Sequence, residues 1–149
     1  MERDELVVLI TTVAQTNNEI SAAMLAFVEI ESSFNVDAIR DEPKIRDASY
    51  GLFQILYHTA IDRGFTGNPL QLFNAETNIN LGIAQIQWIR KYLLTHLGHD
   101  PSWEEIAGAY NAGVGNVCHG FLPTQYINRW KLAFRKWTNS LAASDNSAS

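Results

Sequence analysis

Cys118 is the only cysteine in the chain, so no intramolecular disulfide can staple the fold and no redox compartment is named. Basic residues are scarce as well: 11 Lys and Arg stand against 16 Asp and Glu, a net charge of -5. With no basic surplus to displace counterions from a phosphate backbone, nucleic-acid binding is not expected. The same deficit gives no overall attraction to an acidic polymer, although a single cleft can differ from the average. No apolar run approaches the ~20 residues of a membrane-spanning helix, so no membrane insertion is expected. Met1-Glu2-Arg3-Asp4-Glu5 is charged and lacks the basic and apolar regions of a secretory leader. Internal repeats and a Gly-rich phosphate loop are also missing.

What remains is 149 residues, 46% hydrophobic and 18% charged, which suits one ordinary globular domain. Leu6, Val7, Ile10, Val13 and Ala14 recur at helical spacing and predict a first helix over about Asp4 to Gln15. Asn17-Asn18 ends it and can cap the next, a run from Ala22 to Val28 that is apolar on every side. Asn35 to Tyr50 is polar, contains Pro43 and reads as a surface loop. Gly51 to Leu56 suggests a short strand with Gln54 as its one amide. His58 to Arg63 suggests a short helix. The longest helix is predicted from Glu76 to Leu97, with Ile79, Ile83, Ile86, Ile89, Leu93 and Leu97 as its stripe. Gly82 within it costs ~1 kcal/mol against alanine and suggests that another backbone comes close. Ser102-Trp103-Glu104-Glu105 is a capping box opening a further helix that ends at Asn111-Ala112-Gly113. Pro123 starts a last helix with Tyr126, Trp130, Ala133, Phe134 and Trp137 on one face. The expected fold is mainly α with at most a short β element: one domain over residues 1–141 and a disordered polar tail over 142–149.

Two carboxylates interrupt the apolar helix at its end. Glu31 falls in line with Met24, Phe27 and Val28, while Glu29 points ~200° away around the helix. Apolar neighbours and the unpaired carbonyls of a helix C-terminus both raise a carboxyl pKa, and a carboxylic acid held protonated near neutrality is a general acid. Helix pattern alone favours a plain surface or cap glutamate at a frayed helix end. The other constellations have simpler explanations. The four histidines, at 58, 96, 99 and 119, follow no zinc spacing, and no metal or other cofactor is expected. Cys118-His119 are adjacent, and adjacent side chains rarely aim at each other. The tryptophans at 88, 103, 130 and 137 sit at helical spacing and are expected in the core.

Taken in order, Glu31-Ser32-Ser33-Phe34-Asn35, Gly51-Leu52-Phe53-Gln54-Ile55, Thr59-Ala60 and Ala109-Tyr110-Asn111-Ala112-Gly113 resemble the successive motifs of the soluble lytic transglycosylases. That family has the lysozyme-like fold and is related to goose-type lysozymes. Asn78-Ile79-Asn80-Leu81-Gly82 is similar to its Asn-Ile-x-x-Gly segment, and Tyr126-Ile127 to the Tyr-Val near its last helix. The resemblance covers about Ile20 to Trp130. Departures are Phe53 where Met is usual, a longer Arg40–Ser49 loop, no Pro before Thr59-Ala60, and Pro123-Thr124-Gln125 in place of an acidic-Thr-Arg run.

The resemblance implies cleavage of the β-1,4 bond between N-acetylmuramic acid and N-acetylglucosamine in peptidoglycan, leaving a 1,6-anhydro end. Glu31 would be general acid and then base. Ser32, Gln54, Tyr110, Asn111 and Tyr126 would line the saccharide site. The partner would be the glycan strand, met by a monomer. A hydrolytic lysozyme of the same fold is the alternative, with Asp37, Asp41 or Asp47 positioning water; a catalytically silent glycan-binding module is a third reading. A wall enzyme without a leader would fit a phage-encoded protein or a domain delivered by a secretion apparatus.

Overall fold

The computed structural model describes the backbone of residues 1–148 and the side chains of residues 1–145. Seven α-helices occur among the described residues: α1 Arg3–Thr16, α2 Ser21–Ser32, α3 Tyr57–Asp62, α4 Ala75–Leu97, α5 Trp103–Ala112, α6 Val114–Cys118 and α7 Thr124–Ala148. A small antiparallel sheet, β1 Ile39–Glu42, β2 Asp47–Tyr50 and β3 Ile55–Leu56 in that spatial order, falls between α2 and α3 in the chain. The mainly helical fold is therefore as expected.

α2 is the axis of the molecule. Every residue from Ala22 to Val28 is buried, because α1 and α7 both pack against this helix and leave it no polar face. Burial of Met24, Leu25, Phe27 and Val28 contributes roughly 1.5–3 kcal/mol each. The helix then stops abruptly. Ser33 and Phe34 both take left-handed backbone, φ 51° and 63°, at a cost of ~1–2 kcal/mol per residue. The Phe34 ring offsets this cost: it is buried against Trp137, centroids 5.7 Å apart, with the Arg3 guanidinium 4.5 Å above its centre. Glu31 is thus held in the last turn of a rigid, buried helix.

The segment after α2 corrects the reading of Asn35 to Tyr50 as a loop. It is a hairpin, paired from Ile39 with Tyr50 to Glu42 with Asp47 and closed by a 3-10 turn at Pro43–Ile45. Ile39, Arg40 and Asp41 are all exposed, so β1 buries no face and leaves no alternation in the sequence. Gly51 to Gln54 form a tight turn, and strand geometry begins only at Ile55. Gly51 has φ 71°, and a Cβ there would lie 2.5 Å from the Asn78 amide nitrogen.

α4 is capped by the Asn74 side chain, which accepts from Thr77 N–H, and its isoleucine stripe is buried as the period predicts. What approaches Gly82 is the Phe53 ring and not a backbone: a Cβ would stand 2.2 Å from the ring. The Ser102–Glu105 capping box opens α5 as expected. No local pattern foretold α6, which spans a single short turn. Trp103, Trp130 and Trp137 join the interior, but Trp88 lies at the surface under the Arg63 guanidinium, 4.6 Å from its centroid. α7 is helical through Ala148, across most of the stretch whose composition predicts a tail; residue 149 lies outside the described residues.

Candidate active site

Glu31 opens into a cleft of about 480 Å³ between α2, the hairpin, α5 and α7. Its walls carry Arg40, Glu42, Ser49, Gln54, Tyr110, Asn111, Tyr126 and Arg129, with Ile30, Ile45 and Leu56 as apolar surface. Glu29 points away from it, as the helical angle requires, and accepts from Lys136 Nζ at 2.6 Å and the Arg3 guanidinium at 3.4 Å.

The Glu31 carboxyl is half-buried, and loss of hydration raises its pKa from 4.5. Three groups oppose that rise without cancelling it: the Tyr126 hydroxyl, then the charges of Arg129 and Arg40. Tyr126 donates to Glu31 Oε2 at 2.5 Å. Burial first, and the neighbouring carboxyl second, hold the phenols of Tyr110 and Tyr126 well above 10, so both stay neutral donors. Tyr110 donates to the Phe53 carbonyl, and its ring packs on Phe27 of α2 at 4.9 Å. Phe27, Trp130, Trp103 and Phe134 continue as an aromatic layer that joins α2, α5 and α7 beneath the cleft.

Gln54 reaches the wall from left-handed backbone, φ 50°. Its amide nitrogen donates to the carbonyls of Ala38 at 3.1 Å and Gly51 at 2.9 Å, which leaves its oxygen for the cleft. Asn111 lies in the last turn of α5, and Gly113 takes the C-cap position. The structure therefore brings Glu31, Gln54, Tyr110, Asn111 and Tyr126 together. Ser32 does not join them: its hydroxyl turns back along α2 and donates to the Val28 carbonyl at 3.2 Å.

Four polar wall residues, Arg40, Glu42, Ser49 and Arg129, were not expected from the sequence. Arg129 follows Tyr126 by one helical turn, a spacing that marks a shared face. Arg40 and Glu42 are two apart on β1 and so share a side of the strand, a signal readable only once the hairpin is known. Their side chains form an ion pair at 3.4 Å. The acidic residues considered for positioning water stand elsewhere. Asp37 and Asp41 are exposed and outside the cleft walls. Asp47 caps α3, accepting from the N–H groups of Ala48, Tyr57 and His58 and pairing with the His58 ring at 2.6 Å. Burial raises the Asp47 pKa, but these bonds outweigh it and the net shift is downward. His99 pairs with Glu105, while the rings of His96 and His119 bond backbone carbonyls one turn back. Among the described residues no three His, Cys, Asp or Glu side chains converge on a metal position, and no helix is long and apolar enough to cross a membrane.

A carboxyl whose pKa burial raises, with a phenol on one oxygen and flanked by amides and an open groove, is equipped to protonate a leaving oxygen and then recover a proton. Comparison with known proteins gives the arrangement a context. The family model described as the transglycosylase SLT domain matches residues 9–132. No curated protein matches. Among solved structures, the chain is similar to an inactive mutant of the lytic transglycosylase Slt from Pseudomonas aeruginosa, with a TM-score of 0.74 and 21% identity. That match covers 91% of this chain and 24% of the other. The 70-kDa soluble lytic transglycosylase of Escherichia coli gives a TM-score of 0.57 at 22% identity, covering 87% of this chain and 20% of its own, and a complex of the 70-kDa enzyme with bulgecin A gives the same values. The chain thus spans less than a quarter of the length of these proteins.

Proposed function

Because the chain belongs to the transglycosylase SLT domain family, we propose that it is a peptidoglycan lytic transglycosylase, acting through Glu31 as one domain over residues 1–141. The observation that carries this reading is the half-buried Glu31 carboxyl, its pKa raised and its Oε2 held by Tyr126 at the floor of an open cleft.

In the proposed reaction the protonated Glu31 gives its proton to the glycosidic oxygen as the bond from that oxygen to muramyl C1 breaks. The N-acetyl group of the same sugar stabilises the cationic centre. The ionised Glu31 then takes the proton of the 6-hydroxyl while O6 bonds to C1. The anhydro ring closes, Glu31 is protonated again, and no water is consumed. Tyr126 keeps the carboxyl oriented and supports its ionised phase. Tyr110, Asn111 and the free oxygen of Gln54 hydrogen-bond the sugar.

A hydrolytic lysozyme remains the second reading on one specific observation: Glu42 lies on the cleft wall, where a carboxylate can position water. Its ion pair with Arg40 favours a wall role instead. Digestion of bare cell walls, with analysis of the new ends, tests both. Anhydro ends, retained in Glu42→Gln, are expected. Reducing ends that vanish in Glu42→Gln would replace the transglycosylase with a hydrolase, and no wall lysis would sink both. Bulgecin A, seen with the 70-kDa enzyme, is expected to slow the digestion.

A further inference from the structure

The last turn of α2 carries two carboxylates, Glu29 and Glu31, and no basic residue. That is the wrong charge for a helix C-terminus, where unpaired carbonyls repel anions. The compensating cations come from other elements. On the side away from the cleft, Lys136 of α7 donates to Glu29 Oε1 at 2.6 Å, and Arg3 of α1 reaches the same oxygen at 3.4 Å. The Arg3 guanidinium also lies over the Phe34 ring at 4.5 Å and the Trp137 ring at 5.7 Å, while Lys136 Nζ is 5.8 Å from the Trp137 centroid. Phe34 belongs to the left-handed turn that stops the helix. One cluster therefore holds both the back of the last turn and the residues that close it. Beside Glu29 runs an open groove of about 390 Å³, bordered by Ile30, Ser33, Arg129 and Leu132, so packing alone does not fix this side. Either ion pair by itself would contribute little at such exposure, but three charges and two rings form a network.

We propose that Glu29, through Arg3 and Lys136, is a positioning residue: it clamps the back of the last turn of α2 and so fixes the direction in which Glu31 enters the cleft. Its effect on turnover rests on the proposed reaction. Glu29 and Glu31 project ~200° apart from one helical turn, so a motion that twists or frays the turn moves both. Without the clamp, the carbonyls at the helix end take up water, the turn frays, and the Glu31 carboxyl leaves the Tyr126 hydroxyl for solvent. Neither Arg3 nor Lys136 is among the charges that act on Glu31 directly, which are Arg129 and Arg40. What the clamp does to Glu31 is therefore done through the backbone.

The test breaks the clamp with the double variant Arg3→Gln/Lys136→Gln, which leaves every side chain of the cleft in place. The Glu31 carboxyl is titrated by NMR in isotope-labelled protein, which needs no substrate. Turnover on a soluble wall fragment is measured at a temperature where the variant is fully folded. Deleting two cations would by direct charge raise the Glu31 pKa, whereas fraying hydrates the carboxyl and lowers its pKa toward 4.5. The other groups that face Glu31 are unchanged: Tyr126 and Arg129 of α7, Tyr110 of α5, and Arg40 and Glu42 of β1. A lower Glu31 pKa is expected, with turnover reduced by about tenfold or more and KM near the parent's. Glu29→Gln should show the same loss of turnover. Arg135→Gln, on α7 but outside the cluster, should change neither quantity. A Glu31 pKa that stays or rises, or parent-like turnover in the double variant, would overturn the clamp. Wall lysis by the parent separates the two claims. Lysis with an unmoved titration removes the clamp alone, while a parent without lysis removes the reaction and leaves the titration to decide the clamp.

Discussion

Partial burial in the cleft raises the Glu31 pKa, with a consequence for stability whose sign follows. The folded state holds the Glu31 proton more tightly than the unfolded chain does. Stability from that proton is fully present below about 4.5, the ordinary value, and is lost as pH rises through the higher folded value. Glu31→Gln cannot ionise, so its unfolding midpoint should exceed the parent's by a margin that grows with pH and then levels off. Its wall-lytic activity should fall by ~10²-fold or more. Midpoints scanned over pH beside a turbidity assay check both, and parent-like lysis would remove Glu31 from the chemistry. Asn111 allows a cleaner separation of roles. Because Gly113 and not Asn111 caps α5, Asn111→Ala should change the midpoint little while lowering turnover by more than it weakens saccharide binding. A lowered midpoint with normal turnover would make Asn111 structural.

The Gly51–Gln54 turn and α4 behave as one unit. The Asn78 side chain, 1% exposed, accepts from Phe53 N–H at 2.8 Å and donates to the carbonyls of Tyr50 at 2.8 Å and Leu72 at 2.9 Å. Phe53 in turn fills the space left by Gly82 and offers its carbonyl to Tyr110, while Gln54 carries its amide to the cleft. Asn78→Ala removes these three hydrogen bonds, two of them buried, and should cost about 3 kcal/mol. If the turn positions Tyr110 and Gln54, turnover should also fall at temperatures where the variant is fully folded. Denaturant unfolding with turnover at low temperature decides this, and full turnover in a destabilised variant would leave Asn78 a brace only. The motifs at both ends of this unit are readable in the sequence. That an amide from α4 clamps a turn, where alternation suggested a strand, is not.

Across the molecule, α4 is tied to the turn between α1 and α2 by Arg90, whose guanidinium grips Glu19 through two bonds of 2.6 and 2.8 Å. The Glu19 side chain is 4% exposed, so removing its partner strands a buried charge. Arg90→Leu is expected to cost about 2–4 kcal/mol, less than a fully enclosed pair because Arg90 itself is partly solvated. Adding Glu19→Gln should restore much of the loss, since the stranded charge is then gone. Urea unfolding of the two single variants and the double checks this. A double variant no more stable than Arg90→Leu would show that the arginine acts by packing on Trp103, 5.1 Å away, and not by pairing.

The longer helices up to the start of α7, the Ser102–Glu105 capping box and the buried character of α2 were determined by the sequence itself, because helical period and capping chemistry act between residues three or four apart. So was the position of Glu31 at the end of that helix and on the opposite side from Glu29. The Asn17-Asn18 cap expected for α2 does not form, since Ile20 takes the N-cap position. Which carboxylate shares the cleft with Glu31 was decided only by tertiary structure: Glu42 faces it, while Asp47 is spent on α3. The hairpin, the withdrawal of Ser32, the surface position of Trp88 and the presence of Arg129 were decided there too. The reason is range. Tyr126 meets Glu31 across 95 positions of sequence, and Tyr110 meets Phe53 across 57. Such contacts depend on which helix faces pack together, and no free energy local to either residue records that choice.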